Sequence, residues 1–476
     1  MSVAIVWFRR DLRLADNPAL AAAMAAHDII VPVYIHAPDE EAPWQPGAAS
    51  RWWLHHALAD LSRQLHGRLL IRRGASLATL QELADRYRAT AVYWNRLYEP
   101  ALVARDSAIK QALRAAGVKA WSGNAALWFE PWEVSTRQGG AFRVFTPFWK
   151  RLLELGLPSP GAAIASEPVE GRLASPPERR GAGGVGGMSP AELGLLPDIG
   201  WDSGIAAHWQ PTRAAAEARL DEFLAVDVRD YPQGRDQPGR ERVSRLSPYL
   251  HFGQLGPREV VAACHAGRYP AAEFLRELGW REFAHHLLFH FPLTTEAPMD
   301  ARFEAFAWRD DGAQLTAWRR GQTGVPLVDA GMRQLWRSGW MHNRVRMVVA
   351  SFLTKSLLLD WREGARWFWD TLVDADLAAN SLGWQWTAGC GADAAPYFRV
   401  FNPVLQGEKF DPTGSYVRQW VPELADLPPK WIHRPWEAPP AILRDAGVTL
   451  GSSYPRPIVD LKATRLRALE AWARVK

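Results

Sequence analysis

The residues best suited to chemistry lie between Asp374 and Trp386, where two acids, the amide of Asn380 and two tryptophans interrupt an apolar segment. In a helix, Asp376, Asn380 and Trp384 would share one face, because residues four apart lie one above the other, and Trp386 would point elsewhere. Burial of an acid or amide without a partner costs roughly 1–3 kcal/mol, so an inward face of this kind implies that a polar group meets it. The alternative is a solvent-exposed face beside ordinary core tryptophans, and the stretch alone favours neither.

A second candidate is the serine-containing loop before a predicted helix, in which Ser247 would be the N-cap and Pro248 the first helical residue. Backbone N–H groups at a helix N-terminus, together with the hydroxyls of Ser244 and Ser247, can bind an anion. A cap without a ligand is the alternative, and for this loop taken alone it is the more frequent one. Upstream, Tyr231 lies in a turn rich in hydrogen-bonding groups.

The helix predicted over residues 271–290 places Glu277, Trp280 and Ala284 on one face. An acid on an aromatic, partly dry face has a raised proton affinity because desolvation disfavours its charged form. Such an acid could hydrogen-bond or protonate a base carbonyl. The simpler interpretation is an ion pair between Glu277 and Arg281, four residues further on.

The helix predicted around Asn343 puts that amide and Met347 on one face, with Arg346 on the adjoining strip. Arg346 is a candidate partner for Asp374, since a buried carboxylate without a counter-charge is too costly. His342 has no neighbours that suggest a metal site, so we interpret it as structural and predict no metal.

These residues need a framework, and the first part of the chain predicts a parallel sheet. Short β-branched runs alternate with alanine- and leucine-rich helical stretches, which is typical of an α/β domain. No GxGxxG motif follows the first strand, so the usual dinucleotide fingerprint is absent and an NAD domain is not indicated. The predicted strands are Val3–Phe8, Ile29–His36, Leu69–Arg73, Ala91–Asn95 and Val118–Trp121.

We predict three regions: an α/β domain at residues 1–128, an interdomain linker at 129–210 and an all-helical domain at 211–476. The linker is inferred from its proline and glycine content, most clearly in the run 175–187, and we expect it to cross the surface. Helical periodicity follows near 211–226, 257–266, 271–290, 312–320, 326–338, 341–359, 362–372 and 457–474.

The composition is that of a soluble globular protein with more than one domain, at 476 residues, 48% hydrophobic and 22% charged. The two cysteines, Cys264 and Cys390, have neither the number nor the spacing for a disulfide framework or a zinc site, so a cytoplasmic setting is expected. The N-terminus lacks the features of a signal peptide, and no apolar run is long enough to predict a membrane span. The net charge of +5 permits an anionic partner without requiring one, whereas the 25 tryptophans exceed what a core needs.

The motifs, taken in order, resemble those of the DNA photolyase and cryptochrome family, and within it the cyclobutane pyrimidine dimer photolyases. The resemblance covers nearly the whole chain, and so many motifs in one order argue against an accidental match although each alone is weak. The motifs are Trp7–Arg13, Ser244–Leu250, Trp280–Phe283, Gly339–Met347, Asp360–Gly364, Asp374–Asn380, Gly383–Trp386, Asp393–Arg399, Phe401–Pro403 and Gln406–Phe410.

The resemblance implies one bent FAD in the helical domain and a second, antenna chromophore associated with the α/β domain. The residues that it assigns to the ribityl-phosphate part of FAD are Tyr231, Ser244, Leu246 and Ser247. Those that would surround the isoalloxazine ring are Arg346, Asp374 and Asp376, with Asn380 facing the N5 atom. The electron-transfer chain from the flavin to the surface would consist of Trp384, Trp361 and Trp308.

The implied reaction is light-driven electron transfer from reduced FAD to a pyrimidine dimer flipped out of UV-damaged DNA, after which the dimer splits and the electron returns. The expected dimer contacts are stacking by Trp280 and Trp386, hydrogen bonds from Glu277 and Asn343, and a wedge formed by Met347. Arg344 and Arg399 would bind flanking phosphates, an interaction that weakens with salt. A monomer is expected.

Some positions depart from the family pattern. Ala284 stands where many relatives have an aromatic residue in the dimer pocket, and Val243 replaces a usual threonine near the FAD phosphates. His251 replaces a lysine that some deazaflavin-binding relatives use, and Tyr98–Leu102 lacks the Asn-Glu pair by which some folate-binding relatives hold their antenna. The antenna therefore stays open, with methenyltetrahydrofolate slightly favoured over 8-hydroxy-5-deazaflavin.

Three other functions compete with dimer repair. A cryptochrome would be a photosensor without repair activity, but no long tail follows the last predicted helix and the expected dimer pocket is complete. A (6-4) photolyase is the nearer rival, although that group resembles a histidine pair where Asn343 and Met347 stand. A helical DNA-binding protein without a cofactor would leave the acids Asp374 and Asp376 unexplained.

Overall fold

A computed structural model describes residues 1–158, 169–174, 187–394 and 399–475 of the chain. Most of the glycine-rich run that predicts a linker, residues 175–186, lies outside the described residues. Residues 395–398, inside the motif Asp393–Arg399, also lie outside them.

The N-terminal part is a parallel five-stranded sheet with the strand order β3-β2-β1-β4-β5. All five predicted strands are present, with small shifts at the third and fifth. Alternate side chains of the first strand point to opposite faces, so Val6 and Phe8 join one core while Ile5 and Trp7 join another. The elements are β1 Val3–Phe8, α1 Pro18–Ala26, β2 Ile29–His36, α2 Ala48–Gln64, β3 Leu70–Arg73, α3 Ser76–Tyr87, β4 Ala91–Asn95, α4 Pro100–Ala115 and β5 Lys119–Gly123.

The described part of the predicted linker contains two helices, α5 Phe145–Leu155 and α6 Ser203–His208. It does not simply cross the surface, because Phe145, Phe148 and Leu152 of α5 are buried in the large core that also contains residues of the C-terminal part. Proline and glycine content predicted irregular chain here and concealed an aromatic helix that needs burial. The boundaries at residues 128 and 210 stay a prediction.

The C-terminal part is built from helices, so the predicted fold class is confirmed. Two of them continue into π-helical turns, at Phe223–Asp227 and Phe352–Ser356, and the second of these turns divides the helix expected over 341–359. None of the helices in the described part of the chain is long and apolar enough to cross a membrane. The helices are α7 Arg213–Glu222, α8 Tyr231–Gly234, α9 Ser247–His251, α10 Pro257–Ala266, α11 Ala272–His290, α12 Gly312–Arg319, α13 Pro326–Ser338, α14 Asn343–Ser351, α15 Trp361–Thr371, α16 Leu377–Ala388, α17 Pro403–Phe410, α18 Ser415–Trp420, α19 Pro429–Ile432, α20 Pro440–Asp445 and α21 Leu461–Ala473.

Helices α15 and α16 approach each other closely at Gly364, which lies against the indole of Trp384. A Cβ on Gly364 would overlap that ring. The indole is held from other sides by edge contacts with Phe368 and Trp318, at centroid distances of 5.0 and 6.2 Å. The glycine therefore allows Trp384 to lie fully buried between the two helices.

We expect Gly364→Ala to lower the free energy of unfolding by about 1–3 kcal/mol, because an added methyl in a packed core forces its neighbours to move. Urea or thermal unfolding followed by circular dichroism measures this change. Gly312→Ala is the matched control, since its Cβ would meet open space at the start of α12. Equal stability of the two variants would contradict the packing described for Trp384.

Candidate functional site

The candidate site is a cavity of about 160 Å³ between α14 and α16. It brings together seven of the residues singled out from the sequence: Asn343, Arg346, Met347, Asp374, Asp376, Asn380 and Trp384. The rest of its lining is Ala350, Phe368, Leu372, Ala375, Ala379, Gly383 and Thr387. The cavity therefore has one charged and amide-bearing side and one apolar side, as a flat heteroaromatic ligand with a polar edge requires.

Asp374 has the partner that the sequence predicts for it. Nη2 of Arg346 lies 2.9 Å from Oδ2 and 3.1 Å from Oδ1 of the carboxylate. A second donor is Ser247, whose hydroxyl is 2.6 Å from Oδ2. The Arg346 Nε also donates to the carbonyl oxygen of Met341 at 2.7 Å, so the guanidinium is fixed on two sides.

Ser247 is not the N-cap that its sequence context predicts. It is the first residue of α9, and the capping position is occupied by Leu246, which makes no side-chain capping bond. The serine hydroxyl instead donates across the fold to Asp374. Pro248 follows as the second helical residue, where its missing N–H costs no hydrogen bond.

Asp376 is the N-cap of α16, not a member of a stripe inside the helix. Its Oδ1 accepts the N–H of Ala379 at 2.9 Å. Its Oδ2 lies 3.4 Å from Nδ1 of His251 and 3.5 Å from Nε2 of His285. Burial opposes ionisation of this carboxyl, but the imidazoles of His285 and His251, together with the charge of Arg281, outweigh it and hold the pKa of Asp376 well below its usual range.

Asn380 lies one turn into α16, and its orientation is set by α15. The amide Nδ2 donates to the carbonyl oxygen of Ala365 at 3.0 Å. Its Oδ1 has no hydrogen-bond partner among the described residues, so this acceptor, together with the second hydrogen of Nδ2, is left for a ligand. An amide held in this way can accept a hydrogen bond but cannot supply a proton.

Of the three tryptophans of the expected electron-transfer chain, Trp384 alone lines the cavity among the described residues. Trp361 is the buried first residue of α15, and Trp308 is half-buried against Phe306 at a centroid distance of 4.4 Å. The N–H of Arg309 donates to the carbonyl oxygen of Leu358 at 2.7 Å, which holds the chain after Trp308 beside the segment that leads to Trp361.

The residues expected to contact a dimer have partners that local sequence did not indicate. Glu277 pairs with Arg235 at 2.5 Å instead of Arg281, whose Nη1 donates to the carbonyl oxygen of Ala126 at 2.7 Å. Trp280 stacks on Phe145 with centroids 3.8 Å apart and planes 11° apart. Arg235 and Phe145 lie outside α11, so spacing along that helix could not predict them as partners. The only signals in the sequence are the positive charge of Arg235 and the aromatic ring of Phe145.

Trp386 and Ala284 lie outside the lining of the cavity among the described residues. The Trp386 Nε1 donates to the carbonyl oxygen of Asp393 at 3.1 Å, and its ring is tilted against Phe401. Ala284 is buried in a small apolar cluster with Leu288 and Ala378, so its methyl occupies core volume. All three residues lie on α11, and a common face of Glu277, Trp280 and Ala284 stays a prediction.

The other residues expected to hold FAD are absent from the cavity lining in the part of the chain that the structure describes. The ring of Tyr231 packs edge-on against Phe223 and Phe274. The carbonyl oxygen of Ser244 accepts Nε of Arg219 at 3.0 Å, and Leu246 is buried. Ser244 and Leu246 lie on the loop that leads into α9 and Ser247, whereas Tyr231 is the first residue of α8.

A basic groove of about 530 Å³ lies at the outer end of α14. Its cationic residues are Arg344, Arg399, Lys409 and Arg465. Arg344 pairs with Asp236 at 2.8 Å and lies over the ring of Phe410 at 4.4 Å. His342, at the capping position of α14, accepts the N–H of Arg344 at 3.2 Å, and burial lowers its pKa to about 3, in line with a structural role.

A further cleft lies between the α/β part and the helices. It is lined by Trp7, Arg10, Glu41, His251 and Trp369, among others. Ala375 lines both this cleft and the cavity, so the chain between Asp374 and Asp376 separates the two.

Two family models match separate parts of the chain. Residues 4–167 match the family model described as DNA photolyase, and residues 274–474 match the model of the FAD binding domain of DNA photolyase. A deoxyribodipyrimidine photo-lyase of Agrobacterium fabrum is 47% identical over 99% of this chain and 98% of its own length. Cryptochrome-2 of Arabidopsis thaliana is 40% identical over 99% of this chain and 79% of its own length.

The crystal structure of a class III photolyase from Agrobacterium tumefaciens superposes with a TM-score of 0.93 at 46% identity, covering 100% of this chain and 98% of that one. The chain belongs to the DNA photolyase family, and its C-terminal part is the FAD-binding domain of that family.

We expect Asp374→Ala to lower the free energy of unfolding of the flavin-free protein by about 1–3 kcal/mol, since Arg346 and Ser247 would each lose an acceptor in a largely buried place. Denaturant unfolding measures the change. Asp310→Ala, an exposed acid ahead of α12, serves as the control and should stay within about 0.5 kcal/mol of the parent. A loss as small as that of the control would show that the ion pair contributes little.

Proposed function

We propose that this protein repairs cyclobutane pyrimidine dimers in DNA by light-driven electron transfer from bound FAD. The observation that supports this most directly is the cavity, where Asn343 and Met347 of α14 meet Asp374, Asp376 and Asn380 around one space. The first two are the residues expected to touch a dimer, and the other three are those expected to touch the flavin. A site that holds both sets together suits direct electron transfer over a short distance.

The residues present fit a flavin ring. Arg346 supplies a guanidinium that is fixed by Asp374 and Met341. Asn380 offers its amide oxygen toward a ligand N–H, and the carboxylate of Asp376 is an acceptor at the helix start. Phe368, Leu372 and Trp384 supply the apolar surface that a planar ring needs. Tyr231, Ser244, Leu246 and Ser247 are proposed to hold the ribityl-phosphate part.

When bound and reduced, FAD supplies the electron that splits the dimer on absorption of blue light. Glu277 and Asn343 are proposed to hydrogen-bond the carbonyl and amide edges of the dimer, while Trp280 and Trp386 stack against it. The pair with Arg235 keeps the Glu277 carboxyl half-buried and oriented. Trp384, Trp361 and Trp308 are proposed to restore the reduced state by electron hopping, since indoles can be oxidised one electron at a time.

The basic groove is the proposed path of the DNA backbone. Arg344 and Arg399, which the family resemblance assigns to phosphates, line it together with Lys409. A flipped-out base costs a few kcal/mol, less when it is damaged, and phosphate contacts on both sides offset that cost. We retain a monomer and a cytoplasmic location as predictions.

The cleft between the α/β part and the helices is the proposed antenna site. Its tryptophans, Trp7 and Trp369, suit a flat chromophore, and its arginines suit an anionic one. Each of Arg9, Arg10 and Arg105 is paired with an acid, so the cleft is a nearly balanced charge network. Methenyltetrahydrofolate stays slightly favoured over 8-hydroxy-5-deazaflavin.

The second candidate function is that of a cryptochrome, and the 40% identity to a plant cryptochrome is the observation that favours it. A photosensor would bind FAD and respond to light without dimer repair. Blue-light treatment of one oligonucleotide with a cyclobutane dimer and another with a (6-4) photoproduct separates the candidates. Repair of the cyclobutane dimer alone supports our proposal. Repair of neither lesion supports the photosensor function instead.

We expect Glu277→Ala to slow dimer splitting at least tenfold while the flavin content stays unchanged, because one charge-assisted hydrogen bond of about 1.5–3 kcal/mol to the dimer is lost. Repair per absorbed photon and flavin released on denaturation are measured on the same preparation. Glu304→Ala, an exposed acid on another segment, is the control. Unchanged repair in Glu277→Ala would remove this residue from the mechanism.

We expect Arg344→Gln to weaken binding of dimer-containing DNA and to reduce the slope of log K against log salt by about 1, because one phosphate contact is lost. Fluorescence anisotropy at several salt concentrations measures both quantities. Arg320→Gln changes an exposed arginine that does not line the groove among the described residues, and should leave the slope unaltered. A parental slope for Arg344→Gln would exclude its phosphate contact.

A further inference from the structure

Two histidines lie behind the carboxylate of Asp376, and neither belongs to the described lining of the cavity. His285, on α11, is buried, with Nε2 3.5 Å from Oδ2 of Asp376. His251, on α9, has Nδ1 3.4 Å from the same oxygen and also lines the interdomain cleft. The functions proposed above use Asp376 but neither imidazole.

The second ring nitrogen of His285 fixes the position of one proton. Nδ1 lies 3.1 Å from the carbonyl oxygen of Arg281, which can only accept, so Nδ1 carries a hydrogen. If the ring is neutral, Nε2 therefore turns a lone pair toward the Asp376 carboxylate. The lone pair and the carboxylate repel each other. When Nε2 is protonated as well, a charge-assisted hydrogen bond to Asp376 takes the place of this repulsion.

Charges of both signs surround His285, and the net effect of burial and these charges is a lowered pKa. Burial lowers the pKa of His285, and Asp376 opposes that effect. The charge of Arg281, on the same helix, lowers the pKa of His285 further, while the charge of Glu99 in the α/β part raises it. Glu99 is itself paired with Arg10 at 2.5 Å. On the remaining side the ring of Tyr98 meets His285 edge-on at 6.2 Å, and its hydroxyl donates to Glu130 at 2.7 Å.

We propose that His285 is a positioning residue that takes up a proton when the bound flavin is reduced, and so sets the reduction potential through Asp376. Reduction of FAD to its anionic form consumes two electrons from an external reductant and one proton at the flavin. The added negative charge lies next to the Asp376 carboxylate, and a second proton from solvent then converts His285 to imidazolium. His251, which reaches both Asp376 and the cleft, connects this pair to solvent.

The direction of the pH dependence follows from this. Since reduction consumes an additional proton while His285 is neutral in the oxidised state and charged in the reduced state, the potential rises as the pH falls. In the pH range where His285 is neutral beside the oxidised flavin and charged beside the reduced one, the equilibrium constant for reduction rises by an extra factor of ten for each unit by which the pH falls. This factor is equivalent to 29.6 mV for a two-electron couple.

The experiment is a spectroscopic redox titration of the FAD-loaded protein without DNA, using dithionite at a series of pH values. For the parent, the plot of reduction potential against pH is expected to have the steeper, two-proton slope over part of the pH range. For His285→Gln it is expected to have the single-proton slope at every pH. His285→Arg carries a permanent charge and should combine a high potential with the single-proton slope. His265→Gln, an exposed histidine of α10, should behave as the parent does. A single-proton slope for the parent at every pH, or equal slopes for the parent and His285→Gln, would overturn the proposal.

Proton uptake by the unmodified protein tests the same point without a variant. Reduction in weakly buffered solution with an indicator dye is expected to consume more than one proton per flavin over the range of the steep slope. Consumption of one proton at all pH values would overturn the proposal. The inference rests on the proposed position of the flavin, but none of these measurements uses DNA, so a failure of dimer repair would leave it intact.

Discussion

The burial of two carboxylates, Asp374 and Asp376, on either side of one alanine is the constraint on which the site depends. Each would cost several kcal/mol without compensation, and one partner cannot serve both because their side chains point into different surroundings. Asp374 takes Arg346 from α14 and Ser247 from α9. Asp376 takes the first turn of α16 and the imidazoles of α9 and α11. Four helices are therefore held at one point by charge compensation as well as by apolar packing.

The same segment relates the cavity to the α/β part of the molecule. Ala375 lines both the cavity and the interdomain cleft. Helix α15 is tied to the start of α2, because Asp370 accepts the N–H of Ala48 at 2.9 Å and Nε1 of Trp369 donates to the carbonyl oxygen of Gln45 at 2.7 Å. A ligand in the cleft and one in the cavity would thus be held at a fixed separation, which is what transfer of excitation or of electrons between them needs.

Much of the framework could be predicted from the sequence because it depends on local periodicity. The five strands follow from β-branched runs, and the pairing of Arg346 with Asp374 follows from the cost of a lone buried charge. Local sequence patterns do not predict contacts between distant residues. Ser247 has the pattern of a helix cap, but its hydroxyl donates to Asp374, 127 residues away. Glu277 is a second example, because spacing along one helix suggests Arg281 whereas the fold brings Arg235. Asp376 could have been interpreted better, since an aspartate directly before a helical run is a strong capping signal.

The charged groups around Asp374 and Asp376 limit the roles that these two acids can have beside a flavin. A reduced, anionic flavin would be repelled by a bare carboxylate, so Asp374 and Asp376 cannot serve to stabilise its charge directly. They are suited to accept hydrogen bonds, and each has cationic or protonatable groups behind it: Arg346 for Asp374, and His251 with His285 for Asp376. A guanidinium carries a permanent charge, whereas an imidazole can gain or lose its charge. The Asp374 side of the site therefore has a fixed electrostatic environment, and the Asp376 side has one that can follow the redox state of the cofactor.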